Sequence, residues 1–391
     1  MKQQKLKPSR APVPAVRELS QQYGGHHSGS WVSLLPSSVI PYIQLSRLSP
    51  PAGLFLIFFP HFFGILLSAI RFSHLSSSVE ESPSGSSSSS YPAATPSTLS
   101  TLAVLFLGSF FFSNAAHAWN DLVDSPLDAL VERTKSRPIP RGAISAIGAL
   151  VFTLSQGIGA ALVLWLFLPS GAAGYALVNI AATVYYPWAK RHTNFAQVVL
   201  GFCLAWGVVM GMVGMGMEPF VVQFKGWNVP GLGLGLGSPA QDMKGTSGTF
   251  GLDIYDMHVH IDIAAMGLFL ACVLWTVIYD TIYAHQDVSD DVKLGLKSTA
   301  VLFRSWTKPV LWVLLVTMLG LLGLCGAVVG MSWLYFVICL SGCALSLGAM
   351  ILHVDLKDTA SCWWWFRYGF WLAGSSMAGG LGAEYAVRLW L

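Results

Sequence analysis

Thr101-Leu-Ala-Val-Leu-Phe-Leu-Gly-Ser-Phe-Phe-Phe112 runs without a charge, and shortly afterwards the chain reads Asn120-Asp121-Leu-Val-Asp124-Ser-Pro-Leu-Asp128. A helix-length apolar run that ends in carboxylates recurs later. Asp280-Thr-Ile-Tyr283-Ala-His-Gln-Asp287-Val-Ser-Asp290-Asp291 closes a second run of the same kind. The two clusters hold seven of the chain's 19 Asp and Glu residues. Carboxylates beside hydrocarbon are costly to desolvate, so their presence there points to function.

Of the 391 residues, 54% are hydrophobic and 10% charged, where soluble domains carry about 25% charged residues. The chain reads as an all-α integral membrane protein with helix-length apolar runs. About nine transmembrane spans are expected, at roughly 51–71, 98–119, 143–168, 171–188, 195–217, 262–282, 309–330, 332–352 and 363–387. Spans three and four, and spans seven and eight, are split by short polar or glycine breaks. Fusing either pair gives a helix of about 65 Å, against a hydrocarbon core of about 30 Å. Tight helical hairpins are therefore expected at both places.

Alternating the chain through nine spans puts 18 of the 22 Lys and Arg residues on the side of the N-terminus. That asymmetry assigns the side to the cytoplasm, or to the matrix of a mitochondrion. Each acidic cluster follows an even number of crossings, so both are expected on that same side.

Residues 1–37 read as a flexible basic tail, with a mitochondrial presequence as an alternative that Pro8, Pro12 and Pro14 oppose. Residues 38–391 read as one transmembrane domain. Within it, 72–97 is a Ser-rich loop expected to be disordered. The long loop 218–261 carries Gly231-Leu-Gly-Leu-Gly-Leu-Gly237, with no Lys-Ser/Thr after it to make a phosphate loop. Asp253, Asp256, His258, His260 and Asp262 supply metal-ligating types in this loop, for which a solvated loop is the simpler expectation. The six cysteines lie in or beside apolar runs without CxxC spacing and read as small buried hydrophobes.

Acids alone would suit a cation pathway, and bases alone lipid headgroups. Here both occur together. Asp128 is followed by Glu132-Arg133-Thr-Lys135-Ser-Arg137, Asp291 by Lys293 and Lys297, and the loop after span four reads Tyr185-Tyr186-Pro187-Trp188-Ala189-Lys190-Arg191. The mixture suits a diphosphate held partly through metal and partly by direct contact. Mg²⁺ is usually held by one or two carboxylates plus phosphate oxygens. Asp121 with Asp124 (i, i+3) and Asp287 with Asp291 (i, i+4) would each share one helical face.

The first cluster with Val131-Glu-Arg-Thr-Lys-Ser-Arg-Pro138 resembles the first signature of the UbiA-type intramembrane prenyltransferases. Tyr279-Asp280-Thr-Ile-Tyr283-Ala-His-Gln-Asp287 through Ser298 resembles the second. Arg47-Leu-Ser-Pro-Pro51-x-Gly53, Tyr186-Pro187-x-x-Lys190-Arg191, Gln197 with Gly201, and Trp206-Gly207 are similar to the branch that prenylates 4-hydroxybenzoate and related phenolic acids. The resemblance covers roughly residues 41–388. It implies an all-helical fold around a central cavity and Mg²⁺-dependent prenyl transfer from a prenyl diphosphate donor to an aromatic acceptor within the lipid bilayer. It involves no nucleic acid. By position, Asn120, Asp121, Asp124, Asp128, Asp287 and Asp291 match metal–diphosphate residues, with Asp121, Asp124, Asp287 and Asp291 as metal ligands. Arg47, Lys135, Arg137, Lys190 and Arg191 match basic groups near the diphosphate or an acceptor carboxylate, and Asp280 matches an acid assisting the acceptor. Tyr186, Tyr279, Tyr283 and Trp206 are aromatic candidates for facing an allylic cation.

The chain departs from the family pattern at Phe366-Arg367-Tyr368-Gly369, where Phe-Arg-x-Asn is usual. The long loops and this departure lean toward a fungal-type enzyme of meroterpenoid secondary metabolism over a 4-hydroxybenzoate polyprenyltransferase of ubiquinone biosynthesis. Two rivals remain: a transporter, against which the acids sit at span ends and no halves repeat, and a haem- or chlorophyll-tail prenyltransferase.

Overall fold

The computed structural model describes residues 31–80, 97–131, 133–224, 249–254 and 257–390. The basic tail up to residue 30, residues 81–96 of the Ser-rich segment, and the glycine run with Asp256 lie outside the described residues, as does the side chain of His258. The described chain is helical apart from one small sheet, as the apolar periodicity requires. Among the described residues, seven helices are long and apolar enough to cross a membrane. Two further long helices, Ala172–His192 and Thr359–Trp390, stand at the fourth and ninth expected positions but fall outside that set. The protein is a multi-pass integral membrane protein.

Two compact units cluster separately: Met1–Gly53 with Ser113–Gln156, and Leu54–Phe112 with Gly157–Leu391. The first holds α1 (Ile40–Leu45), the start of α2 (Ala52–Glu80), the last turns of α3 (Thr98–Asp128) and the first turns of α4 (Ala146–Phe167). Its core is Leu45, Ala118, Ile144 and Ala149, with Tyr42, Leu122, Ile139 and Phe152 packed against it. The turn between α3 and α4 is polar and is tied down by its own side chains. Arg141 donates to Gln44 Oε1 at 2.6 Å and to the Ser136 carbonyl at 2.7 Å, and Gly142 takes φ +77°.

The second unit holds the rest: α5 (Ala172–His192), α6 (Ala196–Gly214), the strands β1 (Phe220–Phe224), β2 (Thr249–Ile254) and β3 (Met257–Asp262), and α7 (Ile263–Ala284). Then come α8 (Val288–Leu294), α9 (Thr299–Phe303), α10 (Thr307–Val329), α11 (Trp333–His353, with a π-helical turn at Phe336–Ser341) and α12 (Thr359–Trp390). The α4–α5 and α10–α11 breaks both form tight hairpins, the second turning at Gly330 with φ +67°. α7 is buried along most of its length, including Trp275 and Tyr279. α2 and α6 meet where Gly64 and Gly211 let backbones touch. A Cβ on Gly64 would lie 2.2 Å from the Val208 carbonyl oxygen, and one on Gly211 2.3 Å from that of His61. Small residues at such crossings replace the hydrophobic drive that lipid removes.

Two sequence expectations change here. α2 continues to Glu80, into the segment expected to be loop, because no Pro or Gly interrupts residues 65–82. The loop expected over 218–261 contains an antiparallel sheet in the order β1-β3-β2, pairing Phe220 with Ile261 and Thr249 with Asp262. Met257-His-Val-His-Ile-Asp262 alternates with period two, the strand signature. Asp262 is not a candidate metal ligand. Its carboxylate pairs with both terminal nitrogens of Arg71 and accepts from Ala265 N at 2.9 Å, capping α7.

Candidate active site

The first acidic cluster belongs entirely to the first unit. Asn120, Asp121, Asp124 and Asp128 occupy the last turns of α3, where spacings of three and four residues stack side chains on one face. Asp121, Asp124 and Asp128 are 0%, 3% and 5% exposed. Three buried carboxylates repel one another and lose hydration, so fixed cations must offset them. Arg47 Nη2 lies 2.7 Å from Asp121 Oδ1, and Arg137 Nη1 bridges Asp121 Oδ1 at 3.1 Å and Asp128 Oδ2 at 2.7 Å. Thr134 Oγ1 donates to the Asp128 carbonyl at 3.0 Å and folds the following turn back under the helix end. Arg47 sits at φ +53°, in the left-handed region. That conformation costs a non-glycine residue roughly 1–2 kcal/mol, offset here by the ion pair it makes possible. Of the five basic residues named from sequence, Arg47 and Arg137 reach these carboxylates, while Lys135 lies on the exposed side of the same turn.

Asp121 Oδ2 is buried and makes no hydrogen bond among the described residues. A carboxylate oxygen left over after two guanidinium contacts fits a hard cation, whose oxygen-only coordination it would join. Among the described residues, no three His, Cys, Asp or Glu side chains form a metal cage of their own. Magnesium bound with a diphosphate needs only one or two carboxylates.

The second cluster belongs to the second unit and is built differently. Asp280 lies in the last turns of α7, and the helix stops at Ala284. Asp287 is the N-cap of the short helix α8, and Asp291 lies in its first turn. The expected continuous face carrying Asp287 and Asp291 is therefore a helix start. The break arises where Asp, a preferred N-cap, competes with continuation of α7. Gly295 ends α8 at φ +69°. Beyond it the chain is stitched to α5 and α6: Lys297 N donates to the Lys190 carbonyl at 2.8 Å, Lys297 Nζ to the His192 carbonyl at 3.1 Å, and Thr299 N to Gln197 Oε1 at 3.0 Å. This brings Lys190, half-buried, and Arg191, exposed, onto the chain that neighbours α8. His285 donates to or accepts from Thr307 Oγ1 at 3.0 Å, and burial holds its imidazole below the usual range.

From Tyr283 an aromatic wall runs along α7, α12 and α2. Tyr283 meets Phe366 at a 4.6 Å centroid distance, Tyr279 meets Phe366 at 5.8 Å and Trp275 at 5.5 Å, and Phe59 meets Trp275 at 6.2 Å and Trp371 at 5.6 Å. Phe366, Phe59, Trp275 and Trp371 were not singled out from sequence. Trp206 is not part of this wall. It packs on Phe202, Phe220 and Phe269, and its Nε1 donates to the Tyr175 carbonyl at 2.9 Å. Tyr186 stands on α5, a turn before Lys190. Gly369 is a close-packing position, since a Cβ there would lie 2.6 Å from the Met350 sulfur.

The UbiA prenyltransferase family model matches residues 86–374. "Prenyltransferase stbC" of Stachybotrys bisbyi is 31% identical over 90% of this chain and 90% of its own. The mitochondrial 4-hydroxybenzoate polyprenyltransferase of Schizosaccharomyces pombe is 29% identical over 93% of this chain and 85% of its own. A UbiA homolog from Archaeoglobus fulgidus, described as bound to DMAPP and Mg²⁺, shares the fold at a TM-score of 0.51 and 14% identity. That match covers 85% of this chain and 99% of the other. The signatures at both acidic clusters and the family match over most of the chain lead to one conclusion: the chain belongs to the UbiA prenyltransferase family.

Proposed function

We propose that the protein transfers a prenyl chain, farnesyl or longer, from its diphosphate to a ring carbon of a phenolic acceptor. Magnesium is the cofactor, and the product is a meroterpenoid of secondary metabolism. The observation that carries this reading is the buried Asp121, held by two guanidinium groups with one carboxylate oxygen to spare. The Stachybotrys relative and the DMAPP and Mg²⁺ of the Archaeoglobus fold neighbour support it. Crossing parity in the sequence puts both acidic clusters on the side of the N-terminus, cytoplasmic or matrix, where they serve one diphosphate.

In this reading Asp121 and Asp124, with Asp287 and Asp291, hold the magnesium. When bound, the metal neutralises charge developing on the leaving diphosphate. Arg47, Arg137, Lys190 and Arg191 supply fixed positive charge for the same purpose, and Lys135 meets the diphosphate at the surface. Such preorganised groups stabilise the transition state because they need no reorientation as charge develops. Asn120 and Asp128 orient the first cluster. Tyr279, Tyr283 and Phe366 turn ring faces or edges toward the allylic carbon, where an aromatic face is worth about 0.5–2 kcal/mol to a cation. The apolar wall keeps water from that carbon. Asp280 takes up the acceptor's proton.

The test is prenyl transfer in membranes with Mg²⁺, a donor panel and a phenolic-acid panel, comparing Asp121→Asn and Asp287→Asn with wild type. Both variants should lose turnover; full turnover in both would sink the metal assignment. The Schizosaccharomyces relative favours a second reading, ubiquinone biosynthesis. Turnover of 4-hydroxybenzoate alone, with long-chain donors, would select it.

A further inference from the structure

One helical turn inward from Asp121, on the same face of α3, lies His117. Its ring is half-buried within the first unit, beside Gly53 and Ser113. Nδ1 is 2.7 Å from the Ser113 carbonyl oxygen, which can only accept, so Nδ1 carries the proton. Ser113 Oγ stands 3.2 Å from the same nitrogen. Nε2 makes no hydrogen bond among the described residues. The fold keeps space for this ring: a Cβ on Gly53 would lie 2.4 Å from Cε1 and 2.5 Å from Nε2. A polar ring inside a membrane span, fixed in one tautomer and given room by a glycine, calls for a partner.

We propose that His117 is a positioning residue for the aromatic acceptor, its Nε2 accepting a hydrogen bond from the acceptor's phenolic hydroxyl. The proposal rests on the phenolic acceptor put forward above. Three points carry it. The neutral ring, with Nδ1–H committed to Ser113, offers only a lone pair at Nε2. Phosphate oxygens are acceptors and cannot use that lone pair, whereas a hydroxyl can. The diphosphate already has its donors in Arg47 and Arg137. Finally, the depth is right. Four residues of helix advance about 6 Å, and a nucleophilic ring carbon must sit about 3–3.5 Å from the reacting prenyl carbon. A residue one turn inward from the diphosphate carboxylates stands at the level of the acceptor ring.

The experiment measures KM and kcat in membranes for a prenyl diphosphate, a phenolic acceptor and the same acceptor as its methyl ether. His117→Ala should lower kcat/KM for the phenol about tenfold through the acceptor KM, the size of one lost hydrogen bond. The donor KM and turnover of the methyl ether should stay unchanged. His117→Gln, whose amide oxygen reaches the level of Nε2, should restore part of the preference. Gly53→Ala should mimic His117→Ala by displacing the ring, and the double variant should be no worse than either single, as expected for coupled positions. If His117→Ala does not accumulate, Gly53→Ala and His117→Gln carry the same comparison. An unchanged acceptor KM and phenol-to-ether ratio in these variants, with wild type active on phenols, would overturn this inference alone. A wild type that prenylates no phenol would overturn the functional reading and this inference together.

Discussion

Asp121, Asp124 and Asp128 ride one unbroken helix and are buried, whereas Asp280, Asp287 and Asp291 are divided between the end of α7, a three-residue break and the start of α8, and are half-buried. The first arrangement is rigid and charge-compensated. Burial of three carboxylates is tolerable only because Arg47 and Arg137 are fixed beside them, and Arg47 holds a left-handed backbone to be there. The second arrangement keeps its acids nearer to water and hangs them on a short helix between two breaks. The first cluster therefore couples activity tightly to stability, and the second carries activity with little stability attached.

The sharpest way to break this comparison is Arg137→Ala. It strips the shared cation from two buried carboxylates, and removing one partner of a buried pair costs about 3–5 kcal/mol. Thermal denaturation in detergent should show a large loss, which Asp128→Asn in the same chain should partly restore by removing the orphaned charge. Next comes Asp121→Asn, expected to lower turnover by about 10²–10³-fold, the scale of one lost electrostatic group in a transition state. It should also lower the melting temperature, because both guanidinium groups lose their charge partner. Asp291→Asn is the contrast. We expect a turnover loss of at least tenfold with an unchanged melting temperature. Equal melting losses in Asp121→Asn and Asp291→Asn would end the distinction.

The difference between the clusters was half legible. In Asn120-x-x-x-Asp124-x-x-x-Asp128 the periodicity and the apolar run before it both indicate one helix, and the structure has one. In Tyr283-Ala-His-Gln-Asp287 nothing resembles a breaker, since neither Gly nor Pro is present, yet α7 ends there. The competition between an N-capping Asp and an advancing helix is settled by tertiary ties, chiefly those of Lys297 and Thr299 to α5 and α6, which are remote in sequence. The aromatic wall was illegible for the same reason. Phe59, Trp275 and Phe366 come from three helices, and no local pattern marks them as neighbours. β3 was legible in its alternation but was masked by the glycine and serine around it. His117 sat inside the first signature as an unremarked apolar-span residue until Gly53 and Ser113 were seen beside it.

The wall offers a smaller test on the second cluster's side. Tyr283→Leu keeps bulk and removes the ring that stacks on Phe366. Turnover should fall by roughly 2- to 30-fold, the rate equivalent of about 0.5–2 kcal/mol of cation stabilisation. Trp206→Phe, outside the wall, should leave turnover unchanged and cost about 1 kcal/mol of stability through its lost hydrogen bond to Tyr175. An equal effect of the two on turnover would remove the wall from the mechanism.

The smallest effects concern what holds the second cluster in place. If its position depends on backbone ties, side chains that carry no tie should be dispensable. Gln197 and Thr299 are 6% and 1% exposed, and Gln197 Oε1 is the acceptor for Thr299 N. Gln197→Ala leaves that buried N–H unsatisfied and should cost about 1–3 kcal/mol, with a modest drop in turnover as the chain after α8 loosens. Lys297 differs: its amide N, not its side chain, bonds to the Lys190 carbonyl within the tie, and the ammonium group reaches only an exposed carbonyl. Lys297→Ala should therefore leave both melting temperature and turnover as in wild type. Loss of turnover in Lys297→Ala at an unchanged melting temperature would mean that its ammonium group acts on substrate, which would make the second cluster a richer charge site than its backbone ties imply.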